Sequence, residues 1–288
     1  MFSPFLRWSK PKLKYRITFP PPELTHMSAS NDCCPPGSHQ APALQGDSEA
    51  KSKGSLITLG ESTPCYYTAG GGGDESSISS SKGIIAYTDV WGFQSRIHSL
   101  CDYLADNGNF HVLCVDCFRG ETKDDHPDML AWFQSVPYNP VVAKDTELCQ
   151  EYLRNKLNCD SIGTIGFCWG AWAIGKAFQD GASVFYNAAV AFHPSFKVER
   201  FAFGGDDIKL MQGISSPLLL MPGSNDPDYT KPDSSEFQVL LKHESKSIEF
   251  PDVLHGWMTR GDRTDPKIER AITEALRQAL DFLILNLK

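Results

Sequence analysis

From residue 83 onward, short unbroken apolar runs alternate with stretches whose apolar residues recur at helical spacing. The run GIIAYTDV at 83–90 predicts a strand that ends in a polar turn. Residues 95–107 follow as a helix, with Ile97, Leu100, Cys101 and Leu104 on one face. HVLCVD at 111–116 predicts the next strand, and 144–157 a helix with Leu148, Tyr152 and Leu153 inward. SIGTIGF predicts another strand, Gly170–Phe178 a helix, and AAVAF at 188–192 a strand. PLLLMPG at 217–223 is apolar throughout, as a strand buried on both faces must be. SIEF at 247–250 predicts the last strand. The final helix opens on Asp265 as N-cap and Pro266 in its first turn. Ile268, Ile272, Leu276, Ala279 and Leu283 mark its buried face. Two further strands, LITLG and CYYTA, precede the series within 55–69 and are joined by a turn. Alternating β and α units of this kind specify an α/β domain with a mostly parallel sheet and helices on both faces.

The flanking composition sets the boundaries. Residues 1–50 are rich in Pro, Ser, Gln and Gly and carry no periodicity, so they read as an extension to a single domain at 51–288. AGGGGDESSISSSKG at 69–83 reads as a flexible connection; it matches no phosphate-cradling glycine pattern. The net charge of −8 disfavours a nucleic-acid-binding surface. The first 30 residues differ: Arg7, Lys10, Lys12, Lys14 and Arg16 face Glu23 alone. That bias suits a mitochondrial or plastid presequence, although Pro20–Pro22 fits an amphipathic helix poorly; a plain extension on a cytoplasmic protein is the other reading. No window reaches the roughly 18 apolar residues of a membrane helix. The nine cysteines read as reduced thiols. Cys114 and Cys117 have CxxC spacing but lie on a strand, where they point to opposite faces, and no second pair completes a metal site. Cys33-Cys34-Pro35-Pro36 reads as an exposed loop, with redox activity as its alternative.

One turn carries the chemistry. A strand enters Gly166-Phe167-Cys168-Trp169-Gly170 and a helix leaves it. This is the layout of a nucleophile elbow, with cysteine in the place usually given to serine. The central residue must adopt a strained backbone so that its side chain clears the sheet, and its neighbours two residues away must be small. The amide of Trp169 then falls in the oxyanion hole, with that of Val90, after the strand GIIAYTD, as second donor. In this architecture the acid and base follow the nucleophile in chain order at later strand ends. Asp226 follows PLLLMPG and His255 follows SIEF, giving Cys168, Asp226, His255. Asp228 lies two residues further from its strand, and His193 precedes the acid, which leaves it a place in the pocket lining. His98, His111, His126 and His243 receive no role. Asp89, which ends its strand, either influences the thiol as a gating acid or caps its own turn.

The segments GFCWG, DVWGF, FRGE, GSND and LHGW, in this order, resemble the dienelactone hydrolase (carboxymethylenebutenolidase-like) family of α/β-hydrolases across residues 55–287. CCPPGS at 33–38 resembles the lead carried by eukaryotic members. The resemblance implies the α/β-hydrolase fold, a Cys168–His255–Asp226 triad, an acidic residue matching Asp89, and cofactor-free opening of cyclic enol-lactones that bear a carboxylate. Such members clamp the carboxylate with arginines. Residues 126–140, where one is expected, contain none, so Arg260 and, second, Arg119 are the candidates for that role, with Trp91 beside them as possible lining.

The expectation is therefore a cofactor-independent, metal-free hydrolase of small-molecule lactones or esters, working through an acyl-cysteine intermediate as a monomer or homodimer. The alternatives are a thioesterase and a non-catalytic small-molecule binder on the same fold.

Overall fold

The computed structural model describes residues 33–39, 52–70, 81–180 and 185–288. The basic N-terminal stretch and most of the Gly/Ser-rich connection lie outside them. Chain contacts separate Met1–Ser30 from Asn31–Lys288, and all that follows concerns the second unit.

Eight strands form one sheet in the order β1-β2-β4-β3-β5-β6-β7-β8. They are β1 (Ser55–Leu59), β2 (Thr63–Ala69), β3 (Lys82–Tyr87), β4 (His111–Val115), β5 (Ser161–Phe167), β6 (Ala188–Phe192), β7 (Leu218–Met221) and β8 (Lys246–Ser247). β1–β2 and β2–β4 pair antiparallel, and every later pairing is parallel. The chain thus adopts a mostly parallel α/β-hydrolase sheet. The central strands are buried on both faces, so successive residues feed opposite cores. In β3, Ile84 and Ala86 enter one core, and Ile85 and Tyr87 the other.

Helices α1 (Ser95–Gly108), α8 (Trp257–Arg260) and α9 (Pro266–Asn286) supply the first core. α2 (Met129–Ser135), α3 (Ala143–Glu151), α4 (Trp169–Asp180), α5 (Val198–Phe203), α6 (Asp207–Gln212) and α7 (Ser235–Gln238) lie with the second. The Asp265 side chain accepts from the Lys267 amide and caps α9, whose buried residues include all five of the predicted stripe. Cys114 and Cys117 enter opposite cores.

Three expectations change. The helix expected over 144–157 is α3, which continues through a wider turn, Tyr152–Lys156. The last strand spans Lys246–Ser247, with only a single bridge, Gly223 to Phe250, where SIEF was expected to pair further. The short α2 and α5–α8 have too few turns to register as a periodicity in the sequence. Among the described residues, no helix is long and apolar enough to cross a membrane.

Candidate active site

β5 delivers the chain into the elbow and α4 carries it away, with Cys168 between them at φ 52°. That left-handed conformation costs a non-glycine residue about 1–2 kcal/mol. The surrounding backbone holds it there. The Cys168 amide donates to the Phe192 carbonyl at 3.1 Å, and its carbonyl accepts from Ser195 and Ala171, both at 3.0 Å. A Cβ on Gly166 would sit 2.6 Å from the carbonyl carbon of Gly170, and one on Gly170 would sit 2.7 Å from the Tyr87 oxygen. Close approach, not chain freedom, therefore requires both glycines.

Asp226 follows β7 and is fixed by its own turn: the Gly223 amide donates to its Oδ2 at 2.7 Å. Its Oδ1 stands 2.6 Å from Nδ1 of His255. The loop carrying His255 is held by Asn225, whose Oδ1 accepts the His255 amide at 2.6 Å. Asp228, by contrast, points to solvent and pairs with Lys231.

The thiol and the imidazole perturb each other. Burial alone would lower the His255 pKa, but the Asp226 carboxylate and the Cys168 sulfur outweigh it and hold it well above the ordinary value. Burial alone would raise the Cys168 pKa. Hydrogen bonding from the Cys33 and Cys34 thiols, together with the His255 charge, holds it well below the ordinary value instead. Both shifts favour the charged forms, thiolate at Cys168 and imidazolium at His255. Nε2 of His255 is buried and, among the described residues, has no hydrogen-bond partner within ordinary distance other than the Cys168 sulfur that it influences.

The two backbone amides expected to serve as oxyanion donors are those of Trp169 and Val90. Trp169 opens α4, so its amide has no partner within the helix. The Val90 carbonyl accepts from the Lys123 amide at 2.8 Å, while the Val90 amide donates to no group among the described residues.

Asp89 is fully buried and its oxygens are occupied. Oδ1 accepts the Trp91 amide at 2.9 Å, and Oδ2 accepts from Thr259 at 2.7 Å and from Nη1 of Arg260. The Trp91 contact fits the turn-capping reading of Asp89, whereas its charge is directed to Arg260 and, among the described residues, no contact joins it to Cys168 as a gating acid would require. Arg260 also donates from Nε to the His39 carbonyl at 2.8 Å and lies over the Trp91 ring, 4.2 Å from its centroid. Its Nη2 is buried without a partner among the described residues. His193 packs edge-on against His255 at 4.9 Å between centroids. Burial and the neighbouring positive charges of His255 and Arg260 push its pKa well down, so its ring is neutral. Arg119 does not join this group. Its guanidinium makes a two-pronged pair with Asp145, at 2.8 and 2.7 Å, in a groove lined by Gly60–Thr63, Pro140 and Lys144.

The largest departure from expectation is Cys33–His39. Cys33 and Cys34 are 0% and 3% exposed, and the segment lies over the elbow as a strap. Two thiols are poor solvent ligands and pack readily in an apolar site, so the pair is drawn inward where proline and glycine neighbours suggest a loop. Cys34 Sγ stands 3.9 Å from Cys168 Sγ and 3.5 Å from Cys33 Sγ. Ser195 Oγ lies 3.5 Å from Cys168 Sγ and donates to the Cys33 carbonyl at 2.8 Å. Asn225 Nδ2 donates to the Pro36 carbonyl at 3.0 Å, and the His39 amide to the His255 carbonyl at 3.0 Å. Cys168 and His255 are each 0% exposed beneath it. The three sulfurs lie within 4.8 Å of one another and, among the described residues, are the group spaced to hold a metal ion. Sequence reasoning missed Asn225, Ser195 and Thr259 as supports; the first two are signalled only by their positions beside strand ends, and Thr259, within α8, by nothing local.

Comparison with known proteins identifies the family and the fold. Residues 72–285 match the dienelactone hydrolase family. The chain is 26% identical over 217 residues to hydrolase tropI of Talaromyces stipitatus, covering 69% of this chain and 80% of that protein. It is 24% identical to the carboxymethylenebutenolidase homolog of Xenopus tropicalis, covering 71% and 82%. Among solved structures, the dienelactone hydrolase-like promiscuous phosphotriesterase P91 from metagenomic libraries superposes with a TM-score of 0.57 at 16% identity, covering 78% and 93%. Apo esterase 2 of Thermogutta terrifontis superposes with a TM-score of 0.55 at 14% identity, covering 82% and 96%. At such identities the structural likeness speaks for the fold.

Proposed function

The chain belongs to the dienelactone hydrolase family and is a hydrolase of esters or lactones; from that premise we propose that it works through Cys168, His255 and Asp226 with an acyl-cysteine intermediate. An elbow thiol at Cys168, the mutual charge effect between it and His255, and the anchoring of His255 by Asp226 support the reading. The binder alternative gives way to hydrolysis on the family match.

The Cys168 thiolate attacks the carbonyl carbon, and the amides of Val90 and Trp169 receive the charge that develops on oxygen. His255 gives its Nε2 proton to the leaving alkoxide, which in a lactone remains tethered to the acyl group. Asp226 keeps Nδ1 protonated and the ring in place throughout. His255 then takes a proton from water, which attacks the acyl carbon and releases Cys168. No bound cofactor enters these steps. Substrate is a small molecule that reaches the site once the strap gives way.

Arg260 supports a preference for esters or lactones bearing a carboxylate, because Nη2 has no partner among the described residues, although it lies against Gly256, and guanidinium recognises carboxylates in a plane. Arg119 is spent on Asp145. The test is turnover of aryl esters, thioesters and carboxylate-bearing lactones by the wild type and Cys168→Ala. Loss of all turnover in the variant, with an acyl adduct trapped on Cys168 in the wild type, is expected. Retained turnover would refute the nucleophile.

A further inference from the structure

Cys33 and Cys34 place two thiols over the reactive sulfur, more than ester hydrolysis requires. The contacts are local and specific. Cys34 Sγ is 3.9 Å from Cys168 Sγ, and the strap is fastened to the acid–base loops through Asn225, His255 and Arg260. A disulfide needs its sulfurs at about 2.05 Å. The remaining gap is within the travel of a cysteine rotamer change.

We propose that Cys168 and Cys34 form a hydroperoxide-reactive pair, in which Cys34 captures oxidised Cys168 as a disulfide and binds the strap over the elbow. The idea rests on Cys168 being the nucleophile. In the first step the Cys168 thiolate attacks the terminal peroxide oxygen. The S–O bond forms, the O–O bond breaks, and the leaving alkoxide takes the proton of the His255 imidazolium, giving sulfenic acid and an alcohol, or water from hydrogen peroxide. In the second step Cys34 gives up its proton and attacks the Cys168 sulfur. The S–S bond forms, the S–O bond breaks, and the hydroxyl leaves as water. A dithiol reductant returns both thiols. The same strap movement that admits an ester admits the oxidant. A nearby resolving thiol also intercepts the sulfenic acid before it advances to the irreversible sulfinic acid.

Three full-length proteins test this: wild type, Cys33→Ser and Cys34→Ser, each treated with hydrogen peroxide under a metal chelator and compared with its own untreated activity. In the wild type and Cys33→Ser, esterase activity falls, two of the free thiols vanish, and the mass drops by about 2 Da with a Cys34–Cys168 cross-linked peptide. Dithiothreitol restores all three. In Cys34→Ser the loss persists after dithiothreitol and Cys168 gains about 32 Da as sulfinic acid. A cross-link to Cys33, a Cys33–Cys34 disulfide, or equal reversibility in Cys34→Ser would overturn the proposal. The peptide cross-link is read without activity, so it separates this failure from failure of the hydrolytic reading, which Cys168→Ala turnover decides.

Discussion

Replacing Arg260 by methionine removes the counter-charge of Asp89 while keeping most of the side-chain volume. Both groups are fully buried, and Asp89 then retains only the Trp91 amide and Thr259 hydroxyl against a full charge. Breaking a buried pair from one side costs about 3–5 kcal/mol, because the desolvation of the survivor is no longer compensated. The His39 carbonyl also loses its guanidinium donor, adding about 1 kcal/mol. A domain of this size loses roughly 2–4 °C of Tm per kcal/mol, so Arg260→Met melts on the order of 10 °C lower. Asp89→Asn/Arg260→Met removes the stranded charge, keeps an acceptor for Trp91, and returns to within about 2 kcal/mol of wild type. Urea unfolding followed by tryptophan fluorescence, on both single variants and the double, reads the coupling. If Arg260→Met lies within about 1 kcal/mol of wild type, or the two substitutions simply add, the pair is not a structural one and the argument fails.

Other outcomes follow from the same geometry. Asp226→Asn places an amide against Nδ1, permits the wrong tautomer and lowers kcat/KM by about 10³–10⁴ on an aryl ester, with the circular dichroism spectrum unchanged; a loss under tenfold contradicts the orienting role. Gly170→Ala drives a methyl to 2.7 Å from the Tyr87 carbonyl and costs about 1–3 kcal/mol in chemical denaturation, so unaltered stability would show the elbow to be looser than it is here. The depressed Cys168 pKa and raised His255 pKa bracket a broad plateau of kcat/KM, with the acid limb below and the alkaline limb above the ordinary thiol–imidazole window. For stability, the His255 contribution is full below its unfolded pKa of about 6.5 and falls as pH rises through the folded value. The Cys168 contribution is full above its unfolded value of about 8.5 and falls as pH drops through the folded one. Between them the two slopes oppose, so denaturant midpoints stay flat from about pH 6.5 to 8.5 as far as this pair decides them, and a steep midpoint change in the wild type that Cys168→Ala/His255→Gln abolishes would contradict the ion pair.

The sheet was legible because burial on both faces leaves unbroken apolar runs in β3, β5, β6 and β7, and each run ends where a polar or glycine-rich turn must begin. The triad candidates were legible because that topology assigns them to strand ends in a fixed order. Arg119 was not placed correctly from sequence, because its partner Asp145 sits on α3 and a bidentate pair depends on how that helix approaches β4. The strap was illegible for a related reason. Cys34 meets Cys168 across 134 positions of chain, and the bonds that seat it come from Asn225, Ser195, His255 and Arg260, all beyond any local pattern. Local composition there, with prolines and a glycine, argues for solvent exposure; the tertiary contacts reverse it. That reversal changes the physical picture of the thiol. Burial alone would make Cys168 a poor nucleophile, and much of what offsets burial is supplied by hydrogen bonds from the strap itself. The segment over the elbow thus also contributes to the sulfur's acidity, so on the proposed mechanism an opening for substrate leaves His255, held by Asp226, as the remaining stabiliser of the thiolate.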